Sequence, residues 1–259
     1  MKVSIIGFSG FLGSELVKYL KKDKKIELVK INSREFSIRK INYFLLKKIF
    51  QSDIIINCAA SLNPKNKNDI FINKNFPAML CSYNNFFKKR IIQISTVNVS
   101  IRDRMDLYSL SKRDGEYKIL KNENITIIRI PFLFKKKQGF YLPLGNIKIF
   151  FKYLNISFLP FYPMIYPGHI YKPIEINKVL FFIKNIIFLK KIKKIYNIQG
   201  PNTQSLYDIF NKVALQFNKK TIKININFLN NCLPLFIKNF FKKKNNFLQQ
   251  LVVIKNYNS

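Results

Sequence analysis

Three glycines set three residues apart, Gly7, Gly10 and Gly13 in GFSGFLG, constrain this chain more than any other feature. They follow the apolar run VSIIG and precede the helical pattern GSELVKYLKK. A strand that ends in a tight glycine turn and restarts at once as a helix leaves backbone amides pointing out of the turn. Such an arrangement accepts an anion such as a pyrophosphate. On this reading Gly7 makes the turn, Gly10 lets the backbone approach the phosphates, and Gly13 lets helix and strand pack closely. Phe11 and Leu12 offer first-turn amides beside Gly13. The spacing is GxxGxxG rather than GxGxxG.

The next hundred residues repeat the strand–helix alternation. IELVKI (26–31), DIIINCA (53–59), RIIQIS (90–95) and ITIIRI (125–130) read as strands, several of them unbroken apolar runs of the kind buried on both sheet faces. A helix is expected over 106–121. The predicted class is α/β, a Rossmann-type doubly wound parallel sheet with ligand sites at the strands' carboxyl ends. We divide the 259 residues into a dinucleotide-binding domain, 1–134, and a small C-terminal substrate-binding portion, 135–259, interleaved with the sheet. In the latter, 177–188 and 205–217 read as helices and 195–199 as a strand. Residues 153–171 carry no Asp, Glu, Lys or Arg but three prolines, and read as an irregular cap rather than a membrane span.

Charge narrows the partners. Lys and Arg number 46 against 13 Asp and Glu, a net charge of +33. That balance invites a nucleic-acid reading, yet the excess is almost all lysine and arrives with abundant Asn, Ile and Phe and no Trp. This is the residue set of an AT-rich genome, and no arginine-rich cluster stands out. Nucleic acid is not expected as the main partner. Three scattered cysteines and one histidine, His169, fit neither a disulfide framework nor a metal site, so no metal is expected and the compartment reads as reducing and cytoplasmic. His169 reads as a structural or pocket-lining residue and Cys58 as a small core residue. The N-terminus lacks the apolar run of a signal peptide. The basic, amphipathic tail over 232–259 reads either as a helix packed on the domain or as a peripheral membrane foot.

Two constellations carry chemistry. Tyr108 and Lys112, in YSLSK, stand four apart on one helical face. A nearby ammonium lowers a phenol's pKa, which lets tyrosine exchange a proton with a substrate hydroxyl or carbonyl. The end of the second strand reads Asn32, Ser33, Arg34, with no carboxylate until Glu35. A carboxylate there would select NAD, whereas Arg34 can meet a 2′-phosphate, so NADP is favoured over NAD.

These segments, with DIIINCAA, INKNFPAML, ISTV and RIP at 129–131, resemble the extended short-chain dehydrogenases, the NAD-dependent epimerase/dehydratase family, over about residues 1–217. The motifs are most similar to the dTDP-4-dehydrorhamnose reductase-like branch of sugar-nucleotide enzymes. The resemblance implies hydride transfer between NAD(P) and a nucleotide-linked sugar. It implies that Thr96 hydrogen-bonds the reacting oxygen, that Tyr108 donates or accepts the proton, and that Lys112 binds the nicotinamide ribose and tunes Tyr108. Ala59 and Ala60 line the cofactor, Asn73 supports a link toward the lysine, and Arg129–Pro131 shape the rim of strand five. A homodimer through a two-helix face near 64–88 and 106–121 is implied by analogy. One departure is the short segment between Thr96 and Tyr108. Another is the lack of an acidic residue after Thr96, which argues against dehydration. Two other readings stay open: a catalytically idle NAD(P)-binding module, and a membrane-surface enzyme acting on a lipid-linked sugar.

Overall fold

A computed structural model of the chain describes residues 1–32, 43–102, 104–137, 140–143, 161–168 and 170–225. In chain order its elements begin with β1 (Lys2–Ile6), α1 (Phe11–Leu20), β2 (Glu27–Ile31), α2 (Tyr43–Phe50) and β3 (Ile54–Asn57). Next come α3 (Lys67–Phe87), β4 (Arg90–Thr96), a 3-10 turn (Val97–Ser100), α4 (Leu107–Ile119) and β5 (Ile125–Ile130). Short strands follow: β6 (Leu133–Lys137), β7 (Phe140–Pro143), β8 (Phe161–Tyr166), β9 (Ile170–Tyr171) and β10 (Ile174–Glu175). The described chain closes with α5 (Ile176–Phe188), β11 (Ile195–Asn197), β12 (Gln204–Ser205), α6 (Leu206–Leu215) and β13 (Lys220–Asn225).

The chain divides into two compact units, one of 1–130 with 176–198 and one of 131–175 with 199–259. The first is a six-stranded parallel sheet in the order β2-β1-β3-β4-β5-β11, flanked by helices. This is the doubly wound, Rossmann-type sheet expected. Its central strands are apolar on both faces: all four residues of β3 are buried, as are Val3, Ile5 and Ile6. The core joins Ile6, Ile55, Ile91 and Ile127 of the sheet to Leu46, Ile49 and Phe50 of α2 and to Phe76 and Leu80 of α3. The chain order reverses beside β1, whose neighbours are β2 and β3, the place where open α/β sheets form a ligand crevice at the strands' carboxyl ends.

Local signals explain the helices. Asn66 and Asp69 form a reciprocal capping box at the start of α3. Gly115 of α4 lies against the carbonyl of Asn73, where a Cβ would collide with backbone, so α3 and α4 pack at backbone distance. Arg90, at the start of β4, donates to the carbonyls of Ile186, Ile187 and Leu189 and so caps the C-terminal end of α5.

In the second unit β6 pairs with β7 and β10, β9 with β12, and β8 with β13 in parallel. Residues 161–166 and 170–171 are strands, where an irregular cap was expected across 153–171. The physical reason is a partner distant in sequence: β13, 59 residues on, pairs with β8, and among the described residues β8 pairs on that side alone, an edge position where Pro163 can lack an N–H. Ser205 and Asp208 cap α6. Among the described residues no helix is long and apolar enough to cross a membrane. His169, Ser33, Arg34, Glu35 and the tail over 232–259 lie outside the described residues.

Candidate active site

The glycine turn closes β1 as the spacing requires. Gly7 adopts φ +77°, and a Cβ there would come within 2.8 Å of the Ala59 nitrogen, so this turn touches the end of β3 directly. The Gly7 carbonyl accepts from the Gly10 nitrogen at 3.0 Å, and a Cβ on Gly13 would strike that same carbonyl oxygen. Gly10 is the N-cap of α1 in extended conformation and no side chain caps the helix. The first turn contains no acidic residue. The amides of Phe11, Leu12 and Gly13 therefore open an uncapped, positive helix terminus onto the crevice. A dinucleotide's pyrophosphate fits this cradle, because every position where a side chain would block the backbone is glycine.

Around it the neighbouring strand ends are fixed by buried amides. Asn57 donates to Gln93 at 2.8 Å and accepts from the Ala59 nitrogen at 3.1 Å, which shapes the Ala59–Ala60 backbone; Ala59 is buried and Ala60 exposed. Asn73, 1% exposed, accepts from the Ser61 nitrogen at 3.0 Å, and donates to the Ser61 carbonyl at 2.8 Å and the Ser111 hydroxyl at 3.1 Å. Ser111 in turn donates to the Tyr108 carbonyl at 2.9 Å. Asn73 thus ties the loop after β3 to the helix of Tyr108. Asn32, just past β2, accepts from the Ser9 hydroxyl of the glycine loop at 3.3 Å.

Thr96 is the last residue of β4 and its hydroxyl accepts from the Asn98 nitrogen at 3.3 Å, capping the 3-10 turn. Among the described residues the adjacent buried hydroxyl of Ser95 has no hydrogen-bond partner. The short segment onward to Tyr108 is cross-braced. Arg113 of α4 donates to the carbonyls of Val99 at 3.0 Å, Ile101 at 2.6 Å and Arg104 at 3.4 Å. Arg104 and Asp106 form a buried ion pair at 2.7 Å, and Asp106 caps α4 by accepting from the Ser109 nitrogen and hydroxyl. Burial alone would raise the Asp106 carboxyl; the Arg104 charge and these hydrogen bonds outweigh it and leave its pKa below the ordinary value.

Tyr108 is half-buried in the first turn of α4. Burial, with the negative charge of Asp106, pushes its phenol well above the ordinary value, and Arg104 pulls it partly back. The lowering expected from Lys112 is not met here: Arg104 is the cation that acts on this phenol, because the Lys112 ammonium is turned to the sheet. Lys112 is 3% exposed and donates to the Ile94 carbonyl of β4 at 3.3 Å. Burial lowers its pKa to about 8, opposed by Cys58 and Glu116. Cys58 is half-buried rather than a core residue, and burial pushes its thiol up to about 12 against the pull of Lys112.

Sequence reasoning passed over Glu116. It stands one turn beyond Lys112, with its carboxylate held by the Arg129 guanidinium at 2.6–3.2 Å. Arg129, expected to shape the rim, instead bonds inward to α4. The four-residue spacing from Lys112 was the available signal. Among the described residues no cluster of His, Cys, Asp or Glu could hold a metal ion.

The sequence signature of the RmlD substrate binding domain family matches residues 1–144. No curated protein matches the sequence. The fold is similar to that of a dTDP-4-dehydrorhamnose reductase of Clostridium acetobutylicum, at 20% identity over 87% of this chain and 84% of that one, TM-score 0.69. A dTDP-4-dehydrorhamnose reductase of Bacillus anthracis in complex with NADP is similar at 18% identity over 86% and 83%, TM-score 0.69. The UDP-glucuronic acid 4-epimerase of Bacillus cereus in complex with NAD is similar at 19% identity over 87% and 86%, TM-score 0.68.

Proposed function

Since the chain belongs to the RmlD substrate binding domain family, we propose that it is an NAD(P)-dependent oxidoreductase of the short-chain dehydrogenase type. Its substrate is a nucleotide-linked sugar, reduced or epimerised at a carbinol or ketone carbon. The observation that carries this reading is the seat of Lys112. Its buried ammonium bonds to β4 two residues before Thr96, one helical turn from Tyr108, in the same unit as the glycine cradle of β1. Similar folds complexed with NADP and with NAD support the cofactor. NADP is the favoured form, because Asn32 puts an amide rather than a carboxylate after β2.

The α1 amides and the Gly7 turn would hold the pyrophosphate, Ala59 and Ala60 would line the dinucleotide, and Lys112 would hold its nicotinamide ribose. When bound, the nicotinamide supplies or takes the hydride. Tyr108 gives a proton to the substrate oxygen, or takes one from it, while the Thr96 hydroxyl hydrogen-bonds that oxygen. A phenol kept protonated by burial suits the donor's role, so reduction is the direction to test first. Residues 135–259 carry the substrate-binding portion. The reading includes a cytoplasmic enzyme, where free thiols such as Cys58 and Cys81 persist. It also includes a homodimer through α3 and α4, whose outer Phe86 and Tyr117 are 85% and 80% exposed.

One observation favours a second reading, an NAD(P)-binding module without turnover: the described residues between Thr96 and Tyr108 are few, and Arg113 and the Arg104–Asp106 pair brace them. Identification by mass spectrometry of any dinucleotide released on denaturing the purified protein, followed by NADPH titration and turnover with dTDP-4-dehydrorhamnose, tests both. Binding without NADPH oxidation, for this and other nucleotide-linked ketosugars, selects the second reading. Absence of any dinucleotide binding overturns both.

A further inference from the structure

Helix α4 meets the sheet at two polar anchors one turn apart. At the first, the Lys112 ammonium donates to the carbonyl of Ile94 in β4. At the second, Glu116, 6% exposed, receives Nε of Arg129 at 3.0 and 3.2 Å and its Nη2 at 2.6 Å. Arg129 is itself fixed: it pairs with Ser95 of β4 and Asn197 of β11, and its carbonyl accepts from Ile198 at 2.9 Å. Ile94 and Arg129 are diagonal neighbours on adjacent strands, so the two anchors share one patch of sheet.

The charges around Lys112 are few. Cys58 faces it from the end of β3 but carries no charge near neutral pH, since burial raises its thiol. Tyr108, one turn back, is held protonated. Glu116 is the anion left on the helix face of Lys112, at the (i, i+4) distance where an opposite charge favours the ammonium. Arg129 grips this carboxylate through both Nε and Nη2 and fixes it in place.

We propose that Glu116, held in place by Arg129, is a positioning residue for Lys112 that holds the ammonium on the Ile94 carbonyl. The inference rests on the role that the proposed function gives Lys112. A clamp that only fastens α4 to β5 is the alternative it must beat.

The test uses the full chain and reads the 15N shift of the Lys112 ammonium against pH, its signal identified by loss in K112M. E116Q keeps the shape and removes the charge. The Lys112 midpoint should then fall below about 8. NADPH affinity at the original midpoint should fall with it. R129K keeps a cation beside Glu116, so it should lower Tm with the midpoint nearly unmoved. Should E116Q fail to fold, E116D, which draws the charge back from Lys112, must shift the midpoint in the same direction. E116Q or E116D variants that lose Tm while Lys112 titrates as in the wild type overturn the proposal and leave a structural clamp. A wild type that binds neither NADPH nor NADH overturns the cofactor reading, and the ammonium titration still decides the part played by Glu116.

Discussion

The ammonium of Lys112 lies 3.3 Å from the carbonyl oxygen of Ile94, so the helix bearing Tyr108 is pinned to the strand that ends in Thr96. Changes on either element therefore reach the other.

Tyr108→Phe removes the only proton that the side chain can exchange. Turnover should fall by about 10²- to 10⁴-fold, while the dissociation constant for NADPH stays at the wild-type value. Steady-state NADPH oxidation and a fluorescence titration measure the two. Undiminished turnover in the variant would remove Tyr108 from the reaction.

Gly7→Ala places a methyl group against the Ala59 nitrogen and requires an alanine at φ +77°. Strain of this kind costs about 1–3 kcal/mol. The expected result is a lower Tm together with loss of dinucleotide binding, since the turn and the end of β3 must move apart. Calorimetry with and without NADPH checks it, and a variant that still gains stability from NADPH would show that the turn does not cradle the cofactor.

Lys112 makes stability depend on pH in a direction that can be worked out. Its folded pKa, about 8, lies below the unfolded lysine value near 10.4. Between those values the unfolded chain binds more protons than the native one, so this group's contribution to stability rises with pH across that window. Below about 8 the ammonium is charged in both states and its burial cost is present in full. Lys112→Met should therefore raise Tm most around pH 7, progressively less toward pH 10, and abolish turnover. A stability difference that does not vary with pH would show that the ammonium is not buried as described.

Arg90→Met leaves the carbonyls at the end of α5 without their donor. A loss of about 0.5–1.5 kcal/mol is expected from hydrogen bonds of this kind, two of them part-buried and one exposed. Arg90 stands at the opposite end of β4 from Thr96. Turnover per folded molecule should be unchanged, as chemical denaturation and active-site titration would report.

The parallel sheet was legible because strands buried on both faces read as unbroken apolar runs, as in Ile54–Ile56 and Ile91–Ile92. The glycine turn was legible because each glycine answers a steric demand that no other residue meets. Helix α2 was not foreseen: Leu45, Leu46, Ile49 and Phe50 are its buried stripe, yet eight residues give the helical period little length in which to show. Strand β8 was read as irregular because its partner, β13, is remote in the chain. In the site, the Tyr108–Lys112 spacing was readable on its own. The raised phenol of Tyr108 was not, for it depends on how deeply the ring is buried and on Asp106. Arg129 and Glu116 needed the packing of α4 on β5 before their pairing could be seen.

The bracing of the segment between Thr96 and Tyr108 has a kinetic meaning. With Arg113 holding three of its carbonyls and Arg104 locked to Asp106, the two hydroxyl-bearing positions are ordered when the protein folds, not when a ligand arrives. A ligand that meets them bears little ordering entropy on that side. In the proposed reaction cycle, opening of this segment would then not be the slow step.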